Sequence, residues 1–140
     1  MAFTGNFSCN VLRTGLMNGS INFSTNAFKL ALYTNTATLD QTTTGYTSTG
    51  EASGGNYVAG GQTVTATLTT TTTPSGSISY VSFSSPAWTG AITARGALIY
   101  DTTNGLAICV LDFGSNKTSV NTFTVTMPAD TSTSALIRLF

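Results

Sequence analysis

In the stretch NAFKLALYT, Phe28, Leu30 and Leu32 alternate with Lys29, Ala31 and Tyr33, the period-two pattern of a strand with one face turned inward. The same period returns in TVTATLTTT, where Val64, Ala66 and Leu68 alternate with threonines. β-Branching suits those threonines to a pleated, half-exposed surface, so the segment reads as one strand. Pro74, Ser75 and Gly76 then supply a turn, SISYVSF resumes the strand pattern, and SSPAWTG interrupts it. AITARGALIY and GLAICVLDFG follow, joined by DTTNG, whose Asn104-Gly105 pair readily takes the positive φ angles of tight turns and predicts an antiparallel hairpin. NTFTVTMP and SALIRLF complete the chain. The apolar end is expected to lie in the protein's own sheet, with Phe140 near an edge.

Near the N-terminus the period is different. From Asn6 to Asn18, Phe7, Val11, Leu12 and Leu16 share one helical face, with Asn6 as the cap and Gly15 and the following Asn18-Gly19-Ser20 as the stop. One short helix and seven or eight short strands predict an all-β fold: an antiparallel β-sandwich of the jelly-roll type, a single domain over residues 1–140.

Residues 42–61, TTTGYTSTGEASGGNYVAGG, break this rhythm. Connections in compact domains average about five residues, and structureless ones beyond roughly 15 are functional or disordered. Tyr46, Tyr57 and Val58 are not linker residues, because a free segment would expose their apolar area to no purpose. Going out and back at about 3.3 Å per residue, such a loop reaches on the order of 30 Å. The expectation is an arm, loose in the free protein, that becomes ordered against a neighbouring molecule.

Composition narrows the function. The chain is 41% hydrophobic and only 7% charged, so its polar surface is hydroxyl and amide rather than ionic. Five basic residues cancel five acidic ones, and Arg13, Lys29, Arg95, Lys117 and Arg138 are scattered, which excludes the clustered cations of a nucleic-acid footprint. No run approaches the roughly 18 apolar residues of a membrane helix, and no signal-peptide pattern opens the chain, so synthesis in a cytoplasm is expected.

Histidine is absent, which excludes Ser-His and Cys-His nucleophile pairs. Cys9 and Cys109 lack any CxxC spacing; Cys109 reads as a small apolar strand residue. Asp40, Asp101 and Asp130 fall at turns, where carboxylates accept backbone N–H bonds, and Asp112 sits where it would meet Arg95 if the hairpin strands are in register. No catalytic residue, cofactor or metal ligand is expected. Trp88, the single tryptophan, fits either a cap on the core or an interface anchor.

The order of segments carries a resemblance. FKLALYTNTATLD, then TGEASGGNYVAGGQTVT, AWTGAITARGALIYDTTNG, AICVLDFGSNKT and FTVTMP, from about Phe28 to Leu139, is similar to small head proteins of tailed bacteriophages that include capsid cement and decoration proteins. That resemblance implies a jelly-roll protein on the outside of an icosahedral shell, clamping neighbouring major capsid protein subunits as a dimer over two-fold positions. It transfers no active-site residues. With it, Tyr46, Glu51, Tyr57 and Trp88 become the candidate protein-interface residues. A tail-fibre or receptor-binding β-sandwich, which would be a trimer, is the competing expectation.

Overall fold

The computed structural model describes residues 3–140. In chain order the elements are β1 (Phe7–Ser8), α1 (Asn10–Asn18), β2 (Phe28–Tyr33), β3 (Gln62–Val64), β4 (Ala66–Thr73), β5 (Gly76–Phe83), β6 (Ala87–Thr89), β7 (Thr93–Asp101), β8 (Ala107–Thr118), β9 (Thr122–Thr124) and β10 (Ile137–Leu139). They form an all-β sandwich of antiparallel sheets. One sheet has the order β1-β8-β7-β2-β3; facing it are a three-stranded sheet, β10-β5-β4, and a two-stranded one, β6-β9.

Apolar side chains fill the space between the layers. Phe28, Leu30 and Leu32 of β2, Val64 of β3, Ala97 and Ile99 of β7 and Ile108 of β8 meet Val81 and Phe83 of β5, Trp88 of β6 and Phe123 of β9. Phe23, Phe28 and Phe83 form an aromatic cluster with centroids 5.3 to 6.1 Å apart. The all-β antiparallel sandwich is as the alternation predicts, with ten strands among the described residues instead of seven or eight.

β2 departs from its expected one-sided pattern, because Ala31 and Tyr33 are as buried as Leu30 and Leu32. A second apolar layer covers the other face of the large sheet: Phe3, Cys9, Ala37 and Leu39 pack on Ala31, Tyr33, Leu98, Tyr100 and Val110. The N-terminal segment and the loop after β2 supply that cover. Cys109 belongs to the inner layer and Cys9 to the outer one, and both are free thiols.

The stretch 63–71 is two strands, not one. At Thr65 the chain leaves the large sheet and enters the small one; the corner is held by the Ser84 N–H on the Thr65 carbonyl (3.0 Å) and the Thr65 N–H on Ser84 Oγ (2.8 Å). Helix α1 starts later than expected. Phe7 lies in β1, the cap position falls to Cys9 with no side-chain bond, and Asn6 Oδ1 instead accepts the Asp112 N–H at 2.6 Å. Gly15 does not end the helix; it sits inside it because Ile21 packs where a Cβ would be, and Gly19, at φ +81°, is the left-handed cap.

The β7–β8 hairpin forms as predicted, although only Gly105 takes a positive φ. Asn104 instead bonds the Leu106 N–H and the Ser20 carbonyl. Arg95 Nε reaches Asp112 Oδ1 at 3.0 Å, the expected cross-strand pair, and the Arg95 guanidinium holds the Asp112 carboxyl below its ordinary range. β10 pairs with β5, which places the chain's apolar end in its own sheet.

Candidate interaction site at the glycine-rich loop

Residues 42–61 are folded onto the body along their whole length. The Ala107 N–H donates to the Thr44 carbonyl (2.9 Å), which ties the start of the loop to β8. Glu51 then bridges to Tyr33, and the Ala52 N–H donates to the Leu32 carbonyl (2.9 Å), so the loop returns alongside the end of β2. Further on, Asn56 exchanges bonds with Thr89: its N–H donates to the Thr89 carbonyl (2.9 Å) and its Oδ1 accepts the Thr89 N–H (2.8 Å).

Glycine is required at two of these approaches. Gly55 (φ +52°) leaves no room for a Cβ beside the Thr89 carbonyl, and Gly61 (φ +81°) packs its Cα directly on the Leu30 carbonyl. The glycines that read as slack in the sequence are therefore close-contact positions.

Glu51 is the centre of the loop. Its Oε2 accepts the Tyr46 hydroxyl (2.6 Å), and its Oε1 accepts both the Tyr57 hydroxyl (2.6 Å) and the Gly60 N–H (2.7 Å). The Tyr57 oxygen in turn accepts the Leu32 N–H (2.9 Å). Two further tyrosines complete the clasp: Tyr100 donates to the Gly60 carbonyl (2.6 Å) and Tyr33 to the Thr47 carbonyl (2.7 Å). Tyr46 stacks on Tyr100 at 5.2 Å, and Tyr57 lies 5.5 Å from Trp88.

The electrostatics follow from this geometry. The hydrogen bond to the Glu51 carboxylate, more than burial, pushes the Tyr46 hydroxyl up to about 12. Burial, with the Glu51 bond second, pushes Tyr57 up further, and burial raises Tyr33 and Tyr100. All four hydroxyls are thus held as neutral donors.

The four residues expected from sequence to face partners are brought together, but mostly inward. Trp88 is 3% exposed and belongs to the core, which decides between its two sequence readings in favour of the cap. Tyr57 is half-buried against it, and Glu51 is occupied by three donors. Tyr46, at 37%, is the one exposed member of the four. Val58, next to Tyr57 in the chain, stands 69% exposed, an outward apolar residue. Tyr33, Tyr100 and Gly60 were not singled out by sequence; the signal for the tyrosines was their place at the ends of strong strands. The loop is an ordered face of the protein and not a loose arm.

Two open hollows mark the surface, one away from the loop and one at its start, beside Tyr46. One, of about 450 Å³, has Phe113, Phe123 and Val125 as its floor and Lys117, Thr122 and Thr124 among its polar lining. The other, of about 470 Å³, is formed by residues 38–47 and lined largely by threonine hydroxyls and Asp40. Asp40 accepts the Thr42 hydroxyl and N–H, which lower its carboxyl below the ordinary range. No cluster of three metal-ligating side chains occurs among the described residues. Comparison with models of protein families, with curated proteins and with solved structures finds no match for this chain.

Proposed function

We propose that the chain is a structural virion protein, a capsid cement or decoration protein that binds the outer surface of an icosahedral phage head and clamps neighbouring major capsid protein subunits. The observation that supports this reading is the closed loop at 42–61, about 20 residues held in one conformation with uncharged Tyr46 and Val58 facing out. An ordered surface loses little conformational freedom when it docks. Its single carboxylate is already engaged by Tyr46, Tyr57 and Gly60, so a partner face need not strip a free ion of water. Modest contacts of this kind add up when they are repeated over a shell. Jelly-roll connectivity, a dimer over two-fold positions and a location on the capsid exterior after synthesis in the host cytoplasm belong to the same proposal.

The test is to mix purified protein with undecorated capsids, pellet the shells and count copies per major capsid subunit. Saturable binding at a fixed whole-number ratio, weakened by Val58→Asp without loss of fold, is expected. Absence of binding at any concentration overturns the reading. The competing reading, a tail-fibre or receptor-binding module, draws on the open hollow with a Phe113–Phe123 floor and a hydroxyl-bearing lining. A stable trimer that binds host cells and ignores shells is its signature.

A further inference from the structure

The sheets end in edges of very unequal length. β1 has two residues, and β3, β6, β9 and β10 have three each. Short edges are one of the ways in which proteins avoid pairing with other chains. β4 is the exception: it is eight residues long, pairs with β5 in unbroken register from Ala66↔Phe83 to Thr73↔Gly76, and has no strand on its other side. No bulge, proline or charge interrupts it, and Pro74 comes only after its end.

The hydrogen-bond phase of this edge is fixed by the corner at Thr65. Thr65 lies opposite Ser84 and accepts its N–H, so the odd-numbered residues that follow turn their backbone groups toward β5. Ala66, Leu68, Thr70 and Thr72 therefore point their N–H and C=O groups away from β5. Among the described residues, nothing hydrogen-bonds to them from outside the small sheet. On the same strand Leu68 leaves 48% of its surface exposed, and Leu139, two strands away on the same face, leaves 71%.

We infer that the β4 edge is a self-association surface, joined antiparallel to β4 of a second copy so that two three-stranded sheets become one of six strands. The occupant follows from charge. Pairing about a two-fold axis sets each strand against itself, so any charge on it meets its own copy. From Gln62 to Ala94 there is no charged residue at all. A dyad at Thr69 sets Ala66 opposite Thr72 and Leu68 opposite Thr70, which uses every outward group in about eight inter-chain backbone hydrogen bonds. Leu68 then gains cover from the opposing Thr70 methyl. The inference does not depend on shell binding.

Sedimentation of the full chain over a wide concentration range, with backbone amide exchange on the same samples, tests it. The expected result is a dimer in which the Leu68 and Thr70 amides become protected as concentration rises. Thr70→Pro removes an outward N–H, Thr70→Lys sets two cations close to the dyad, and both lose the Thr70–Ser79 hydroxyl bond inside the sheet; each is expected to weaken the dimer about tenfold or more. Should the proline variant fail to fold, the lysine variant and the wild-type exchange data still decide. A monomer at all concentrations overturns the inference. So does a dimer in which those amides stay unprotected or which both variants leave intact. Protection that appears only when shells are added also overturns it, and assigns the edge to a strand of the capsid protein.

Discussion

Replacing Glu51 by alanine removes the shared acceptor of three donors, and the consequence can be worked from their environments. Tyr46 is exposed, so its hydroxyl regains water and its bond contributes little. The Tyr57 hydroxyl and the Gly60 N–H lie in a half-buried setting, where a bond to a charged acceptor contributes about 1.5 kcal/mol each at the low end of the range. Glu51→Ala is therefore expected to destabilise the protein by about 3 kcal/mol. With an unfolding entropy of roughly 2.1 cal/mol/K per residue, that lowers Tm by about 10 °C. Glu51→Gln keeps an oxygen for the two inner donors, so its Tm falls by about 3 °C. Calorimetry gives the shifts, and amide exchange at Gly60 together with chymotryptic cleavage after Tyr57 reports whether the loop has lifted. A Glu51→Ala variant that melts within about 1 °C of wild type, with Gly60 exchange unchanged, would refute the account of Glu51 as the clasp.

Three further outcomes follow from the same structure. Trp88→Ala opens a cavity under Tyr57 and should lower unfolding free energy by about 4 kcal/mol in urea titrations, whereas Trp88→Phe loses less than half of that. Raised tyrosines imply an alkaline limit. The folded state keeps protons that the unfolded chain releases near pH 10, so their stabilisation is complete below about pH 10 and falls as pH climbs toward and past Tyr46's value. In a Tyr80→Phe background, phenolate absorbance should consequently rise together with loss of β-sheet circular dichroism; independent titration near pH 10 in a still-folded protein would contradict this. Finally, burial pushes the Cys9 thiol up to about 11 and raises Cys109 as well, so an aromatic disulfide reagent should label neither thiol until denaturant is added, and then both.

Alternation made the large sheet legible, because Leu30, Leu32, Ile99 and Ile108 report their layer by parity or by a single local irregularity. The Arg95–Asp112 pair was legible as chemistry but not as register: the ladder shifts between Ala94 and Gly96, Gly96 lies opposite Asp112, and the long Arg95 side chain reaches the carboxylate from the irregularity. What escaped was set by partners distant in sequence. Thr65 looks like its neighbours, and only Ser84 turns it into a corner. Asn6 has the chemistry of a helix cap, yet the Asp112 N–H competes for it successfully from the far end of the chain. In the loop, Gly, Ser and Thr predicted looseness from composition, whereas the order comes from one carboxylate placed within reach of two tyrosines, a spacing that no periodicity detects.

The pairing of β2 with β7 also sets a timetable. Tyr33 lies opposite Gly96, which leaves the ribosome roughly 60 residues later, about 3 to 12 s at 5–20 residues per second. Through that interval Phe28, Leu30 and Leu32 have at most the three residues of β3 beside them, while β4 and β5 can already close as a local hairpin. β1 waits longer still, for Cys109 and Val110 of β8. The most apolar strand of the nascent chain is thus exposed for seconds before its centre partner exists. Its early encounters with other chains are governed by translation speed as much as by sequence.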